Sequence, residues 1–486
     1  MSTDRPAEQP APVVRNRNSG RSRTTRRRAA ALGLLGTIGA LVWIVTGPAV
    51  EVATASGSPP ATDGTPLASL RRVPQWATAT VAERALSLAV APAAAELPGA
   101  SCLVVRDAGR TILASDPDEV VVPASNLKPL TATAAVELLG AETRAATTVV
   151  AGSAPVGGVV RGDLTIVGGG DPVLTTAGYE PYEGIPRELL TSFESLADAV
   201  AAAGVREVTG SVVGDDTRYD DVRTAPGWRP GYLDDAQVAP LSALVVDDGA
   251  PSPATVDPAA RAAAVMTTLL QARGVRVVGT PRRGVAPDGA TELARVESPT
   301  VAQLAEGLVR FSDNTTAELL VKEIGRRVRG EGSTAAGTAA VLEWARGAGL
   351  PMDGAVIADG SGLSRDNRLS CSTMVAVLER SGPEGPLAGW LARPGRAGTL
   401  DDRMVGTELT DRVRAKTGSL DGVRSLAGWL DLPSGRVVAF AVGAVDDGTS
   451  TSAELESIEE RILTGTLGYP AVPDPAALRP RTASPS

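Results

Sequence analysis

Residues 123–140 of the chain read PASNLKPLTATAAVELLG and contain a serine that is followed three positions later by a lysine. The stretch from Leu130 to Gly140 has helical character, and its final glycine is a typical helix end, so we predict a helix with Ser125 at or just before its start. Residues three apart on a helix lie on the same face. The spacing therefore predicts that the Lys128 amine reaches the Ser125 hydroxyl group.

The composition leaves lysine as the strongest candidate for the base that such a serine needs. The 486 residues include no histidine, which excludes Ser-His-Asp and Cys-His sites as well as zinc sites built on histidine. A serine is a poor nucleophile until a neighbouring base takes its proton. Arginine does not give up its proton near neutral pH, whereas a desolvated lysine does. Of 47 basic side chains only three are lysines, namely Lys128, Lys322 and Lys416.

Two further motifs follow the first along the chain. Ser312-Asp313-Asn314 lies in a predicted break between two helices, and Lys416-Thr417-Gly418 opens a predicted strand. Each motif alone is an ordinary helix cap or turn. In this order, however, S-x-x-K, S-D-N and K-T-G form the motif set of penicillin-binding proteins and class A β-lactamases. The third lysine, Lys322, lies four residues after Glu318, and we predict a surface ion pair between them.

With these motifs the chain resembles the D-alanyl-D-alanine carboxypeptidase/endopeptidase family, the low-molecular-mass class C penicillin-binding proteins, from about Val81 to Pro470. The long interval between Lys128 and Ser312 matches a family that carries extra domains there. Further segments that carry the resemblance are Pro123 to Asn126, Gly169 to Pro172, Pro226 to Trp228, Ser298 to Thr300, Asp359 to Ser364, and Gly398 to Leu400 with Arg403. The resemblance implies an α+β fold, in which an antiparallel sheet flanked by helices carries a large α+β insertion between the first and second motifs.

The resemblance also implies an activity, that of a serine-type D-Ala-D-Ala carboxypeptidase, and it leaves open how much endopeptidase activity accompanies it. The expected partners are peptidoglycan peptides that end in D-Ala-D-Ala, with β-lactam antibiotics as covalent inhibitors, and no cofactor or metal is expected. The implied catalytic residues are Ser125 as nucleophile, Lys128 as base and Ser312 as proton relay. The implied substrate-binding residues are Asn314 for the acyl amide, Lys416 and Thr417 for the terminal carboxylate, and Ser419 for the oxyanion. Lys416 is also expected to keep Lys128 neutral by repulsion between like charges.

Two alternatives use the same motifs. A β-lactamase-like hydrolase shares the acylation residues, but the chain has no E-x-x-x-N sequence between the second and third motifs that would supply a deacylating glutamate. A non-catalytic domain that binds β-lactams or cell wall would retain the fold without turnover. The intact motifs favour an enzyme over this second alternative.

The N-terminal region predicts export. Residues 1–28 form a basic tail, and residues 29–50 are uncharged and long enough to cross a bilayer. Basic residues before such a segment place the rest of the chain outside the cytoplasm. We predict a membrane anchor at 29–50, and cleavage near Ala55 as a secreted protein is the alternative. The net charge of −9 and the aromatic fraction of 3% do not favour nucleic acid as a partner.

The rest of the chain divides into four predicted parts. Residues 51–80 are a linker, residues 81–148 and 296–470 form the penicillin-binding domain, residues 149–295 are inserted, and residues 471–486 form a disordered tail. Within these parts we predict a hairpin over Ala100–Ser115, a helix over Pro258–Ala272, and a helix that Ser298 caps with Pro299 at its first position. Cys102 and Cys371 are compatible with one disulfide or with two free thiols, because bridging depends on Cα geometry.

Overall fold

The computed structural model describes residues 75–181, 184–250, 257–446, 448 and 450–471, and side chains from residue 79 onward. The helices are α1 Gln75–Ala94, α2 Lys128–Leu139, α3 Phe193–Ala202, α4 Gly231–Asp234, α5 Pro258–Ala272, α6 Val301–Arg310, α7 Asn314–Arg329, α8 Thr334–Gly347, α9 Cys371–Ser381, α10 Pro386–Trp390 and α11 Ser452–Thr466. The strands are β1 Ala100–Asp107, β2 Arg110–Ser115, β3 Val120–Val121, β4 Ala146–Ala151, β5 Val159–Val160, β6 Leu164–Val167, β7 Leu174–Thr175, β8 Thr191–Ser192, β9 Glu207–Val208, β10 Val212–Asp215, β11 Arg276–Val277, β12 Arg282–Arg283, β13 Thr291–Glu297, β14 Leu369–Ser370, β15 Val413–Leu420, β16 Val423–Asp431 and β17 Val437–Val445.

The first sheet is antiparallel and has the order β15-β16-β17-β1-β2. Successive side chains of a strand point to opposite faces, and β1 shows this alternation. Cys102 and Val104 pack into a core with helices α2 and α6 to α9, whereas Leu103 and Val105 pack into a core with α1 and α11. The sheet is thus buried on both faces between helical layers, which confirms the predicted α+β class.

The second sheet is built from residues 146–297 and has the order β12-β10-β6-β4-β13. β10 pairs in parallel with β6 and β12, whereas β4 pairs antiparallel with β6 and β13. Helices α3 and α5 cover this sheet through a separate apolar core. Residues between the first and second motifs therefore form their own α+β layer, although the predicted domain boundaries themselves stay a prediction.

Several local predictions agree with the structure. The hairpin β1–β2 and helix α5 have the predicted bounds. Cys102 and Cys371, for which the sequence left a disulfide and two free thiols open, form a disulfide that joins β1 to the first residue of α9. Pro129 is accommodated because it occupies one of the first two positions of α2, where a backbone N–H has no partner within the helix.

Two local predictions are wrong. Ser298 does not cap a helix, since its hydroxyl accepts the Ala145 N–H and donates to the Pro299 carbonyl. Helix α6 begins later, at Val301, because Thr300 and Gln303 form a reciprocal capping box.

Lys322 does not form a surface pair with Glu318, because both side chains are fully buried. Lys322 instead donates to the Asp220 carboxylate and to the Val222 carbonyl. The spacing of four residues identified a shared helix face correctly, but that face of α7 lies against other parts of the chain.

The predicted basic tail, the apolar segment 29–50, residues 51–74 of the linker and residues 472–486 of the tail lie outside the described residues. Residues 75–80, predicted as the end of the linker, belong to α1. In the part of the chain that the structure describes, no helix has both the length and the apolar character that membrane crossing requires.

Candidate active site

Ser125 lies on a short 3-10 turn, Ala124–Leu127, that leads directly into α2. Lys128 is the first residue of α2, and its Nζ lies 2.8 Å from the Ser125 hydroxyl oxygen. The Lys128 side chain is fully buried, whereas Ser125 is half-buried. The first motif thus presents a serine hydroxyl at a surface with a buried amine beneath it.

Two further oxygen atoms fix the Lys128 amine. Its Nζ donates to Asn314 Oδ1 at 2.7 Å and to the Ser361 carbonyl oxygen at 2.7 Å. The Asn314 amide is oriented by its other end, because Nδ2 donates to the Gln237 carbonyl at 2.7 Å. The second motif therefore meets the first at the Lys128 amine, and residues 237 and 361 add backbone carbonyls to the same site.

The third motif lies in the edge strand β15 and packs against the turn that carries Ser125. A Cβ atom at Gly418 would lie 2.6 Å from the Pro123 carbonyl and 2.2 Å from Ser425 Oγ, so only glycine permits this approach. Ser425 Oγ in turn donates to the Pro123 carbonyl and accepts from Asn126 Nδ2. These contacts hold the strand beside the 3-10 turn.

Ser312 and Lys416 form a second hydroxyl–amine pair. Lys416 Nζ donates to Ser312 Oγ at 3.0 Å and to the Thr417 carbonyl at 2.9 Å. Lys416 is fully buried, whereas Ser312 and Thr417 are half-buried and Ser419 is exposed. Burial, and secondarily the charge of Lys128, hold the pKa of Lys416 well below its ordinary value. The two amines are therefore close enough to influence each other.

Asp313 caps α7. Its carboxylate accepts the Thr316 N–H at 3.0 Å and the Thr316 hydroxyl. Burial raises the pKa of Asp313, and the neighbouring Lys128 charge opposes that rise. Asp313 therefore fixes the start of the helix whose first residue is Asn314.

The segment from Asp359 to Ser364 is a turn beneath the site that the motifs alone did not assign. Gly362 has a φ of +88°, and a Cβ there would lie 1.9 Å from the Ala124 carbonyl. The turn therefore approaches the Ser125 loop closely enough to deliver the Ser361 carbonyl to Lys128. Its glycine and serine content was visible in the sequence, but a backbone carbonyl leaves no signal in residue type.

The structure thus brings Ser125, Lys128 and Asn314 into one hydrogen-bonded group and joins Ser312 to Lys416. Thr417 and Ser419 follow Lys416 on the strand next to that group. Among the described residues, no group of three or more Cys, Asp or Glu side chains is arranged to hold a metal ion. The arrangement suits acyl transfer to a serine hydroxyl, with an amine as base.

Comparison with known proteins finds relatives that are carboxypeptidases and a penicillin-binding protein. A D-alanyl-D-alanine carboxypeptidase of Actinomadura sp. strain R39 is 31% identical over 95% of this chain and 94% of its own length. A carboxypeptidase of Mycobacterium tuberculosis is 32% identical over 71% of this chain and 76% of its own. Penicillin-binding protein 4 of Haemophilus influenzae has the same fold, with a TM-score of 0.67 at 22% identity over 78% of this chain and 99% of that one.

The same Haemophilus protein has been solved in complex with a β-lactam, and that structure matches with a TM-score of 0.61 at 21% identity over 77% of this chain and 98% of that one. The model of the D-Ala-D-Ala carboxypeptidase 3 (S13) family matches residues 85–257 and 252–462, which is most of the described chain. The chain therefore belongs to the D-Ala-D-Ala carboxypeptidase 3 (S13) family of peptidases.

Proposed function

We propose that this chain removes the terminal D-Ala from peptidoglycan stem peptides through an acyl-enzyme on Ser125. The observation that carries the proposal is the geometry of the Lys128 amine. Asn314 Oδ1 and the Ser361 carbonyl only accept hydrogen bonds, so they hold two N–H bonds of the amine. The same Nζ lies 2.8 Å from Ser125 Oγ. When Lys128 is neutral, its lone pair is within hydrogen-bond distance of the serine hydroxyl and can accept its proton.

Acylation transfers the acyl group of the substrate to Ser125 and releases the terminal D-Ala. The Ser125 O–H bond breaks, its proton moves to Lys128 Nζ, and the oxygen attacks the carbonyl carbon of the D-Ala-D-Ala bond. Backbone N–H groups of Ser125 and Ser419 would stabilise the oxyanion, as such donors do in acyl transfer. The C–N bond breaks as the leaving amine gains a proton, and an ester to Ser125 remains. Water later hydrolyses that ester.

Ser312 and Lys416 are the proposed route for the proton to the leaving amine. Ser312 Oγ is bonded to Lys416 Nζ at 3.0 Å and is half-buried, so its hydroxyl is accessible to substrate. Repulsion between the Lys128 and Lys416 ammonium groups is mutual, which favours a site with one amine neutral. A substrate carboxylate beside Lys416 and Thr417 would place the charge on Lys416 and leave Lys128 neutral as the base.

The proposal is tested by exposing the purified protein to penicillin and locating the adduct by mass spectrometry. We expect one adduct, on Ser125, together with release of D-Ala from a pentapeptide that ends in D-Ala-D-Ala. The Ser125→Ala variant is the control and should show neither. An adduct on another residue would contradict the assignment of the nucleophile.

The lifetime of the adduct separates the carboxypeptidase from its alternatives. An adduct that persists for many turnovers of the peptide supports the peptidase, because the amine released from a β-lactam stays attached and obstructs the site. Rapid hydrolysis of penicillin would instead indicate a β-lactamase. An adduct without release of D-Ala from any peptide would indicate a binding or sensing domain.

We further propose that the enzyme acts outside the cytoplasm, as expected for a family that works on the cell wall. The apolar segment 29–50 would anchor it to the membrane or, if cleaved near Ala55, direct its secretion. Residues 149–295 are proposed to be an inserted domain that rests on the catalytic region. Detecting the protein in the membrane fraction of the cells or in the culture supernatant would distinguish anchoring from secretion.

A further inference from the structure

Glu318 is a buried carboxyl group on α7 that the proposed mechanism does not use. It lies one helical turn after Asn314, so the two side chains share a face of the helix. Asn314 contacts the Lys128 amine directly, whereas Glu318 points into the protein beneath it and is fully buried. Burying a carboxyl group is costly unless it is hydrogen-bonded, so its contacts are informative.

Those contacts lead to the amine through a single turn of backbone. Glu318 Oε1 accepts the Gly360 N–H at 3.0 Å and the Ser361 N–H at 2.7 Å. The carbonyl of Ser361 is the group that accepts from Lys128 Nζ at 2.7 Å. The carboxyl group thus fixes the residue whose carbonyl orients the amine.

A second tether holds the same turn from the other helix. Thr131 on α2 donates its hydroxyl to the Gly360 carbonyl at 2.7 Å. A Cβ at Gly360 would lie 2.6 Å from the Ala317 carbonyl, so the turn fits tightly against α7. Thr131 and Glu318 therefore fix the turn between the two helices that carry the first and second motifs.

The protonation of Glu318 agrees with a positioning role rather than a charged one. Asp359 lies beside Glu318, and its carboxylate accepts four N–H groups, from Trp228 Nε1, Gly362, Ser364 and Asn367 Nδ2. Burial, and secondarily the charge of Asp359, raise the pKa of Glu318 to about 8. Glu318 is therefore mostly neutral at pH 7.

The two oxygen atoms of Glu318 differ. Oε1 accepts two N–H groups, whereas Oε2 makes no hydrogen bond of normal geometry within the described residues; the nearby Ser361 hydroxyl lowers the pKa of the carboxyl group. The proton of the neutral acid therefore belongs on Oε2. A glutamine side chain reproduces this state, because its carbonyl replaces Oε1 and its amide nitrogen replaces the protonated oxygen.

We propose that Glu318 is a positioning residue for acylation, which holds the Gly360–Ser361 turn so that the Ser361 carbonyl directs the Lys128 lone pair at Ser125. This inference rests on the proposed function. It predicts that the hydrogen-bond acceptor at position 318 is required and that the negative charge is not.

The test measures the rate constant of acylation by penicillin in the full-length protein, with adducts counted by mass spectrometry. Glu318→Met removes the acceptor at similar length and should lower the rate about 100-fold, since displacements near 1 Å have effects of that size. Glu318→Gln should stay within about threefold of the wild type. Lys322→Met, at an equally buried position on the same helix, is the control and should leave the rate unchanged.

Thr131→Val provides an independent variant if Glu318→Met does not fold, as judged by its melting temperature. It removes only the second tether, and we expect acylation to slow about tenfold while the melting curve stays cooperative. A wild-type rate in folded Glu318→Met, or in Thr131→Val where Glu318→Met is unfolded, would overturn the inference. So would an equal loss in Glu318→Gln and Glu318→Met. Absence of any adduct on wild-type Ser125 would instead refute the proposed function, and the inference with it.

Discussion

The active-site cleft and the contact between α7 and residues 218–222 both bury lysine, but they surround it differently. Lys128 and Lys416 lie in the cleft and Lys322 lies at the helix contact, and each has a relative exposure of 0%. Lys322 donates to the Asp220 carboxylate and to the Val222 carbonyl. The hydrogen bonds of the cleft lysines described above run to hydroxyl, amide and carbonyl oxygens.

Lys322 and Lys416 are equally buried, and they differ in the charge of their hydrogen-bond partners. Burial lowers the pKa of both Lys322 and Lys416. At Lys322 the Asp220 carboxylate opposes this effect, whereas at Lys416 the nearby charge of Lys128 adds to it. The hydrogen-bonded carboxylate of Asp220 favours the protonated form of Lys322, whereas the hydrogen-bond partners described for Lys416 are neutral oxygens.

The largest effect that separates the two regions is expected from replacing Lys128. Lys128→Met should lower the rate of acylation of Ser125 by about 10³-fold or more, because general bases contribute 10² to 10⁴. Lys322→Met should leave the rate of the folded protein within about twofold. The measurement is the time course of penicillin adducts by mass spectrometry. Comparable losses in both variants would remove the distinction between the regions.

Ser312→Ala should give the next largest effect. It removes the hydroxyl that accepts from Lys416 Nζ at 3.0 Å, and with it the proposed relay to the leaving amine. We expect about a 10²-fold loss in turnover of a D-Ala-D-Ala peptide. Ser333→Ala, which removes a helix-capping hydroxyl at the start of α8, is a suitable control. Turnover of Ser312→Ala at the wild-type rate would exclude the relay.

Lys322→Met should act on stability instead of activity. The variant leaves the Asp220 carboxylate without its ammonium partner, but that side chain is about one-third exposed and regains water. We therefore expect a loss of about 1–3 kcal/mol in the free energy of unfolding, below the 3–5 typical of breaking a fully buried pair. Urea denaturation followed by tryptophan fluorescence measures this loss. A variant as stable as the wild type would mean that the ion pair contributes nothing net.

The contrast between the active site and the contact around Lys322 also shows which features the sequence could predict. The three motifs and the helix period predicted which side chains the structure brings together and most of the elements that carry them, since those signals are local. The burial of Lys322 depends on what packs against α7, and its spacing from Glu318 gives only a shared face. The apolar neighbours Ala317 and Val321 were the one available signal that this face is internal.

Features that depend on backbone groups or on distant pairing were not predictable. The Ser361 carbonyl that contacts Lys128 belongs to no residue type in particular. The parallel pairing of β10 with β6 and β12 joins segments of two to four residues that carry no mark of strand direction. The Ser298-Pro299 pair predicts a helix start because Ser-Pro is typical of one. In the structure the capping box of Thr300 and Gln303 sets the start of α6 instead.

The smallest expected effect is a difference in how stability depends on pH. The folded-state pKa of Lys416 lies well below the ordinary 10.5, so between these two values the unfolded chain binds the proton that the native chain lacks. The native state is therefore stabilised as pH rises through that window, by at most about 1.4 kcal/mol per pH unit, and this contribution is lost as pH falls. Lys416→Met removes the titration. Its advantage in melting temperature over the wild type should be largest near pH 6 and should shrink steadily toward pH 9.

Lys322→Met should show a weaker dependence of melting temperature on pH, because Asp220 offsets the lowering of the Lys322 pKa. A trend as steep for Lys322→Met as for Lys416→Met would show that burial outweighs the partner in setting the proton affinity of these amines.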